Sequence, residues 1–247
     1  ALITGGGTGI GAAIAKALSD AGAAVSLVGR RAAPLEEVAA SLARASAIVA
    51  DVTREPDTVE MLRAAQLACG PVDILVANAG AAESAPIARL DLAQWQRMLD
   101  VNLTGAFLAT KAALPDLVRK DAPASRIIFI ASTAGMKGYP YVAAYCAAKH
   151  GVVGLTRALA AELATTGVTV NAVCPGYTET PLLEASLDTI TAKTGRSRED
   201  AQAGLRRFNP QGRFVKPSEV AETVLWLCTP GAQAITGQSI SVSGGEV

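Results

Sequence analysis

The feature that most constrains this chain is its alternation of short, nearly all-apolar runs with longer stretches of helical periodicity. A strand with one wet face alternates apolar and polar residues. Runs such as SAIVA (46–50), VDILVANAG (72–80) and RIIFIA (126–131) carry apolar residues on both faces. Such strands must be covered on both sides, and strand–helix–strand crossovers do this for a parallel sheet. With ALI (1–3), AVSLV (24–28), VTVNAVC (168–174) and QSISVSG (238–244), the expectation is an α/β chain of about seven parallel strands. Helices are expected over 9–22, 34–45, 55–70, 91–120, 142–165 and 217–228. No linker or repeat divides the 247 residues, which read as one domain. An ordinary first strand begins a few residues earlier, so the chain reads as clipped before Ala1.

Composition narrows the function classes. Half the residues are hydrophobic, enough for a sizeable core. Lys plus Arg equals Asp plus Glu at 22 each, which gives no support for a nucleic-acid or anionic-membrane partner. No apolar run approaches the ~18 residues of a membrane span, and no secretory signal pattern opens the chain. Cys69, Cys146, Cys174 and Cys228 form no CxxC pair and sit among apolar neighbours. They read as reduced core residues of a cytoplasmic protein with no metal site.

The first strand runs into TGGGTGIG (4–11) and then a helix. Gly5, Gly9 and Gly11 have the spacing GxxxGxG. Missing β-carbons let a backbone turn tightly and approach a pyrophosphate at a helix N-terminus. This loop, DV (51–52), NAG (78–80), VNLTG (101–105), Ser132, YCAAK (145–149) and PGYTETP (175–181) recur in order over the whole chain. Together they resemble the short-chain dehydrogenases/reductases. The stretch from Tyr145 onward looks most like ketoreductases of β-ketoacyl thioesters, including those of polyketide synthesis. It is also similar to 3-hydroxybutyrate dehydrogenases. The resemblance implies a Rossmann-type doubly wound sheet, a nicotinamide cofactor and a homotetramer.

The implied cofactor contacts are Gly5, Gly7, Thr8, Gly9, Ile10 and Gly11 in the first loop, then Asp51 and Val52 near the adenine. Asn78, Ala79 and Gly80 follow, with Asn78 tying strands together and Ala79-Gly80 against the ribose. Pro175, Gly176, Thr178 and Thr180 complete the set near the nicotinamide and phosphates. An acidic residue after the second strand would hold the ribose 2′-hydroxyl of NAD. Gly29 stands there instead, followed by Arg30 and Arg31, which suit the 2′-phosphate of NADP. NADP(H) is therefore preferred over NAD(H), although Thr8 is not the second basic residue that many NADP-using relatives carry.

Tyr145 and Lys149 are four residues apart on an expected helix and share a face. Ser132 follows a strand at the same rim of the sheet. A free phenol has a pKa near 10, too high for efficient proton transfer at neutral pH. An ammonium ~4 Å away is worth roughly 4 kcal/mol, about three pKa units. Tyr145 is thus expected to be the proton donor, with Lys149 acidifying it and, by the resemblance, binding the ribose. Ser132 is expected to hydrogen-bond the substrate oxygen. Asn102 matches the family residue that holds a water leading from the lysine to solvent. Tyr139 and Tyr141 are expected to border the substrate, and His150 to be structural or at an interface.

Residues 182–215 are expected to form two short helices as a lid. Lys193, Arg196, Arg198, Arg206, Arg207 and Arg213 can bind coenzyme A or carrier-arm phosphates, but Glu184, Asp188, Glu199 and Asp200 dilute that charge. A solvated lid is the preferred reading, and SVSGGEV (241–247) reads as a last strand with an exposed tail. The function expected is NADP(H)-dependent hydride transfer between nicotinamide and a carbonyl or secondary alcohol, such as a 3-oxoacyl thioester. The alternatives are an NAD-dependent hydroxy-acid or secondary-alcohol dehydrogenase, and a non-catalytic dinucleotide sensor.

Overall fold

A computed structural model describes residues 1–121 and 124–247. The elements run β1 (Leu2–Thr4), α1 (Gly9–Asp20), β2 (Val25–Gly29), α2 (Ala32–Ala40), β3 (Ala45–Val49) and α3 (Glu55–Cys69). Next come β4 (Ile74–Ala77), α4 (Leu92–Leu99), α5 (Gly105–Leu117), β5 (Arg126–Ile130) and α6 (Ala143–Glu162). The chain continues through β6 (Thr169–Pro175), α7 (Pro181–Thr194), α8 (Arg198–Arg206), α9 (Pro217–Leu227) and β7 (Ser239–Val242). All seven strands pair in parallel, in the order β3-β2-β1-β4-β5-β6-β7.

The apolar strands do what their composition requires. Side chains alternate between two cores, one on each face of the sheet. Leu2, Ile127 and Phe129 join the core beneath α3, α5 and α6, with Met61, Leu117 and Val152. Ile3, Ile128 and Ile130 join the opposite core beneath α1 and α9, with Ile14, Leu18, Val220 and Val224. Burying a Leu, Ile or Phe side chain stabilises by about 1.5–3 kcal/mol, so each layer holds its helices by ordinary apolar burial.

Two boundaries differ from expectation. Helix α2 starts at Ala32, because Pro34 fits within a first turn where its missing N–H is not needed. The stretch 91–120 is not one helix. Between α4 and α5, Asp100–Thr104 forms a π-helical turn, with the Gly105 N–H donating to Asp100 O. Asn102 lies inside it and is buried, and its Nδ2 donates to Met98 O at 3.0 Å and Ala81 O at 2.9 Å. Such turns widen a helix by one residue and recur at functional sites. No helix among the described residues is long and apolar enough to cross a membrane. The four cysteines are free thiols.

At the carboxyl end of the sheet, β1 turns into α1 through tightly packed backbone. A β-carbon on Gly11 would stand 2.2 Å from Gly5 O and 2.7 Å from Asn78 Nδ2. Gly11→Ala should therefore destabilise the fold by about 1–3 kcal/mol, the usual cost of overpacking. Thermal unfolding measures this, and an unchanged midpoint would mean that the turn yields freely.

Candidate active site

One cleft of about 1620 Å³ runs along the carboxyl ends of the strands. Pockets for a single small ligand hold roughly 300–1,000 Å³, so this one has room for a dinucleotide and a second molecule. Its walls contain nearly all the residues singled out above: the loop from Gly5 to Ile10, Arg30 and Arg31, Asp51 and Val52, and Asn78 to Gly80. Asn102, Ser132, Tyr145, Lys149, Pro175, Gly176, Thr178 and Thr180 line it as well. Gly11 does not line the cleft; it packs behind the loop against Gly5.

The dinucleotide end is built from backbone. Gly5 and Gly9 sit at φ 65° and 54°, the left-handed region that glycine enters without strain. Thr8 is the N-cap of α1 but makes no side-chain cap bond. The first N–H groups of α1 are thus left for a ligand, the usual anion site of a helix start. A β-carbon on Gly9 would stand 3.1 Å from Thr180 Cγ2, so α7 closes tightly over the loop. The donor set and the missing side chains fit a pyrophosphate. Asn78 Nδ2 donates to Thr4 O at 2.9 Å and Gly5 O at 3.1 Å, tying β4 to β1 as expected. Arg30 and Arg31 are exposed on the rim, and neither forms a salt bridge among the described residues. Asp51 Oδ1 accepts from the Thr53 N–H at 3.0 Å and its hydroxyl at 2.8 Å. These bonds hold its carboxyl below the usual range, the backbone N–H foremost.

The other end gathers Ser132, Tyr145 and Lys149. Ser132 stands just past β5, and its Oγ accepts from the Ala134 N–H at 3.1 Å. Lys149 is buried and donates from Nζ to Ile130 O at 2.8 Å. Its Nζ lies 5.7 Å from the centre of the Tyr145 ring. Burial pushes the lysine down to about 8 and raises the Tyr145 phenol above its ordinary 10, while the Ser132 hydroxyl pulls the phenol the other way. The expected acidification by Lys149 is therefore not seen: the phenol stands above 10, and the group that lowers it is the Ser132 hydroxyl. The two groups share a cleft and a helix face, but desolvation dominates the phenol.

Several of the residues singled out have partners within the protein. The Asn102 side-chain amide is spent on the backbone of Met98 and Ala81. Thr178 and Thr180 hydroxyls donate to Gly176 O at 2.9 Å and Thr178 O at 3.1 Å, and Thr180 also caps α7. Arg198 pairs with Glu184 and Asp188, and Arg213 with Glu219, so the lid is not a free cationic cluster. Lys193 alone of that set lines the cleft, and donates to Ser84 O at 3.0 Å on the facing wall. His150 is exposed, with Nδ1 against Cys146 O. Tyr139 and Tyr141 do border the cleft, Tyr141 at φ 68°, where the Ala85 N–H meets its carbonyl. Tyr177 and Phe208 line it too and were not singled out. The position of Tyr177 inside PGYTETP was the available signal for it; nothing local marks Phe208.

The profile of the family described as short chain dehydrogenase matches residues 1–190. A 2-(S)-hydroxypropyl-CoM dehydrogenase of Xanthobacter autotrophicus is 40% identical over 98% of this chain and 94% of its own length. A 3-oxoacyl-[acyl-carrier-protein] reductase of Synechocystis sp. is 38% identical over 100% of this chain and 96% of its own. A crystal structure of an actinorhodin polyketide ketoreductase variant with NADPH superimposes with a TM-score of 0.94 at 40% identity. That match covers 99% of this chain and 95% of the other.

The buried lysine makes a pH prediction. The Lys149 value near 8 lies below the ordinary 10.5, so between these the unfolded chain binds the extra proton. This contribution makes stability rise with pH across that window, by on the order of 3 kcal/mol in full. Below pH 8 the buried ammonium carries its whole desolvation cost. Nitrogen-detected NMR of the lysine side chains should show one titrating near 8 and absent in Lys149→Met. A Lys149 midpoint above 10 would contradict this.

Proposed function

This chain belongs to the short-chain dehydrogenase family and is a nicotinamide-dependent oxidoreductase, and we propose that it reduces a 3-oxoacyl thioester or similar β-keto compound with NADP(H). One observation carries the reading. Ser132, Tyr145 and Lys149 converge at one end of a cleft whose other end is a glycine-walled helix start. When bound, the nicotinamide supplies the hydride that a carbonyl carbon accepts.

The chain's own groups handle the proton and the charge. Ser132 Oγ accepts the Ala134 N–H on one lone pair, and its O–H, which meets the Tyr145 phenol, can turn to donate to a carbonyl oxygen placed between them. That bond strengthens as the oxygen gains negative charge. The Tyr145 phenol, raised by burial, keeps its proton at neutral pH and is placed to give it to the same oxygen, forming the alcohol. The tyrosinate left behind is stabilised by the Lys149 ammonium and regains a proton from solvent. Lys149 has one donor fixed on Ile130 O, so two remain for ribose hydroxyls. Thr178 donates inward and keeps an acceptor lone pair for a carboxamide.

The 2-(S)-hydroxypropyl-CoM dehydrogenase is named for an alcohol substrate. That likeness favours oxidation of a secondary alcohol as a second reading, in which Tyr145 accepts the proton. Absorbance of the reduced cofactor, followed with acetoacetyl-CoA, simple ketones, β-keto esters and secondary alcohols, separates the two. Tyr145→Phe should lower turnover by roughly the 10²–10⁴-fold that general acid catalysis contributes, while cofactor affinity stays within about twofold. Retained turnover would remove the tyrosine from the chemistry.

For the cofactor, the support is the bare rim at Arg30 and Arg31 and the absence of a carboxylate at Gly29. In a fluorescence titration, Arg30→Ala should weaken NADPH about tenfold or more, as loss of charge-assisted bonds would, and leave NADH nearly unchanged. Tighter binding of NADH to the wild type, with NADPH affinity kept in the variant, would reverse the preference.

A further inference from the structure

Gly245 and Val247 are exposed, as the tail is expected to be, but Glu246 between them is not. Gly244 and Gly245 adopt φ 65° and 94° and turn the backbone inward. No β-carbon fits at Gly244, where one would lie 2.0 Å from Asn209 Oδ1. The turn drives the Glu246 side chain into the protein, where it is 1% exposed. Its Oε1 accepts from the Tyr139 hydroxyl and lies 3.1 Å from Lys137 Nζ. Its Oε2 is buried without a hydrogen-bond partner among the described residues and comes close to the backbone of Gly176.

A buried carboxylate is costly, so it is held where its contacts matter. The Tyr139 hydroxyl is also 2.7 Å from Thr133 Oγ1. A phenol has one proton. Tyr139 gives it to the carboxylate, so the Thr133 hydroxyl donates to Tyr139 in turn. The chain of bonds thus runs from Glu246 to the residue beside Ser132. The Tyr139 ring stands edge-on to Phe208 at 5.4 Å and to Tyr177 at 6.4 Å, and those two are 5.7 Å apart. All three rings line the cleft. Lys137 reaches over the Tyr139 and Phe208 rings and closes the group from outside. The Glu246 charge is felt at Tyr177, whose phenol is pushed up to about 12 by burial first and that charge second.

We propose that Glu246 is a positioning residue for substrate selection: it fixes Tyr139 and, through it, the Tyr177–Phe208 wall against which a flat apolar group beside the carbonyl lies. This rests on the reductase reading given above. Rings and conjugated chains gain more from such a wall than small hydroxy acids, because ring edges and faces reward apolar contact area.

The test compares Glu246→Met, which has no acceptor oxygen for Tyr139, with Tyr139→Phe and the double variant. Each single change should raise KM for a cyclic or conjugated ketone about tenfold, with kcat and cofactor affinity within about twofold, since the loss falls on ground-state binding. The double variant should resemble the singles, because both remove one linkage. Unchanged KM, a loss confined to kcat, or multiplied effects in the double variant would overturn the assignment. Tyr139→Phe removes only an oxygen and decides the matter alone if Glu246→Met does not fold. Hydrogen exchange over 133–142 and 205–210 gives a readout independent of turnover. It should speed up in both single variants, and unchanged exchange would overturn the proposal. If wild-type protein turns over no carbonyl while exchange responds, the reductase reading fails and the linkage stands.

Discussion

Thr4 and Asn78 hold together the two strands from which the chain departs in opposite directions. The Thr4 hydroxyl accepts from the N–H groups of Asn78 and Ala79, and the Asn78 amide returns bonds to the carbonyls of Thr4 and Gly5. From β1 the chain builds β2 and β3 on one side; β4 to β7 follow on the other. Where the direction reverses, crossovers diverge and leave a crevice at the strand ends. Strands apolar on both faces leave polar chemistry little place except that rim. The dinucleotide cradle, Ser132 and the face of α6 all meet there because the sheet has nowhere else to put them.

The reactive end shows how burial and charge divide a task. Lys149 enters the protein at the cost of its basicity, and the phenol beside it is made a weaker acid by the same dryness. A dry site also strengthens every interaction made within it. Charge arriving in the cleft would therefore act strongly on this pair, and the group that already lowers the phenol is Ser132, which helix spacing alone does not reveal.

What the sequence revealed follows the range of the forces involved. Strands were readable because burial on both faces forces apolar composition along β4 and, after the hydrogen-bonded Arg126, along β5. Tyr145 and Lys149 were readable because helix geometry alone puts them together. Their acid–base balance was not, since it depends on packing from β5 and β6. Asn102 was found by its motif, but neither the π turn around it nor its bonds to residue 81, across the loop after β4, has a local mark in the sequence. Glu246 was missed for the plainest reason: its partner Tyr139 is 107 residues away in the chain. Only the paired glycines before it mark a turn, and a turn at a chain end reads as a loose tail until its destination is known.

The widened turn at Asp100–Thr104 has one more implication. It takes up a single surplus residue between α4 and α5, and Met98 before it and Ala109 after it are both buried. A homologous chain one residue shorter at this place would run as an uninterrupted helix and keep both buried faces. It would lose only the amide that reaches back to residue 81. Loss of that residue therefore spares the architecture and falls on one wall of the cleft, where the Asn102 amide meets residue 81.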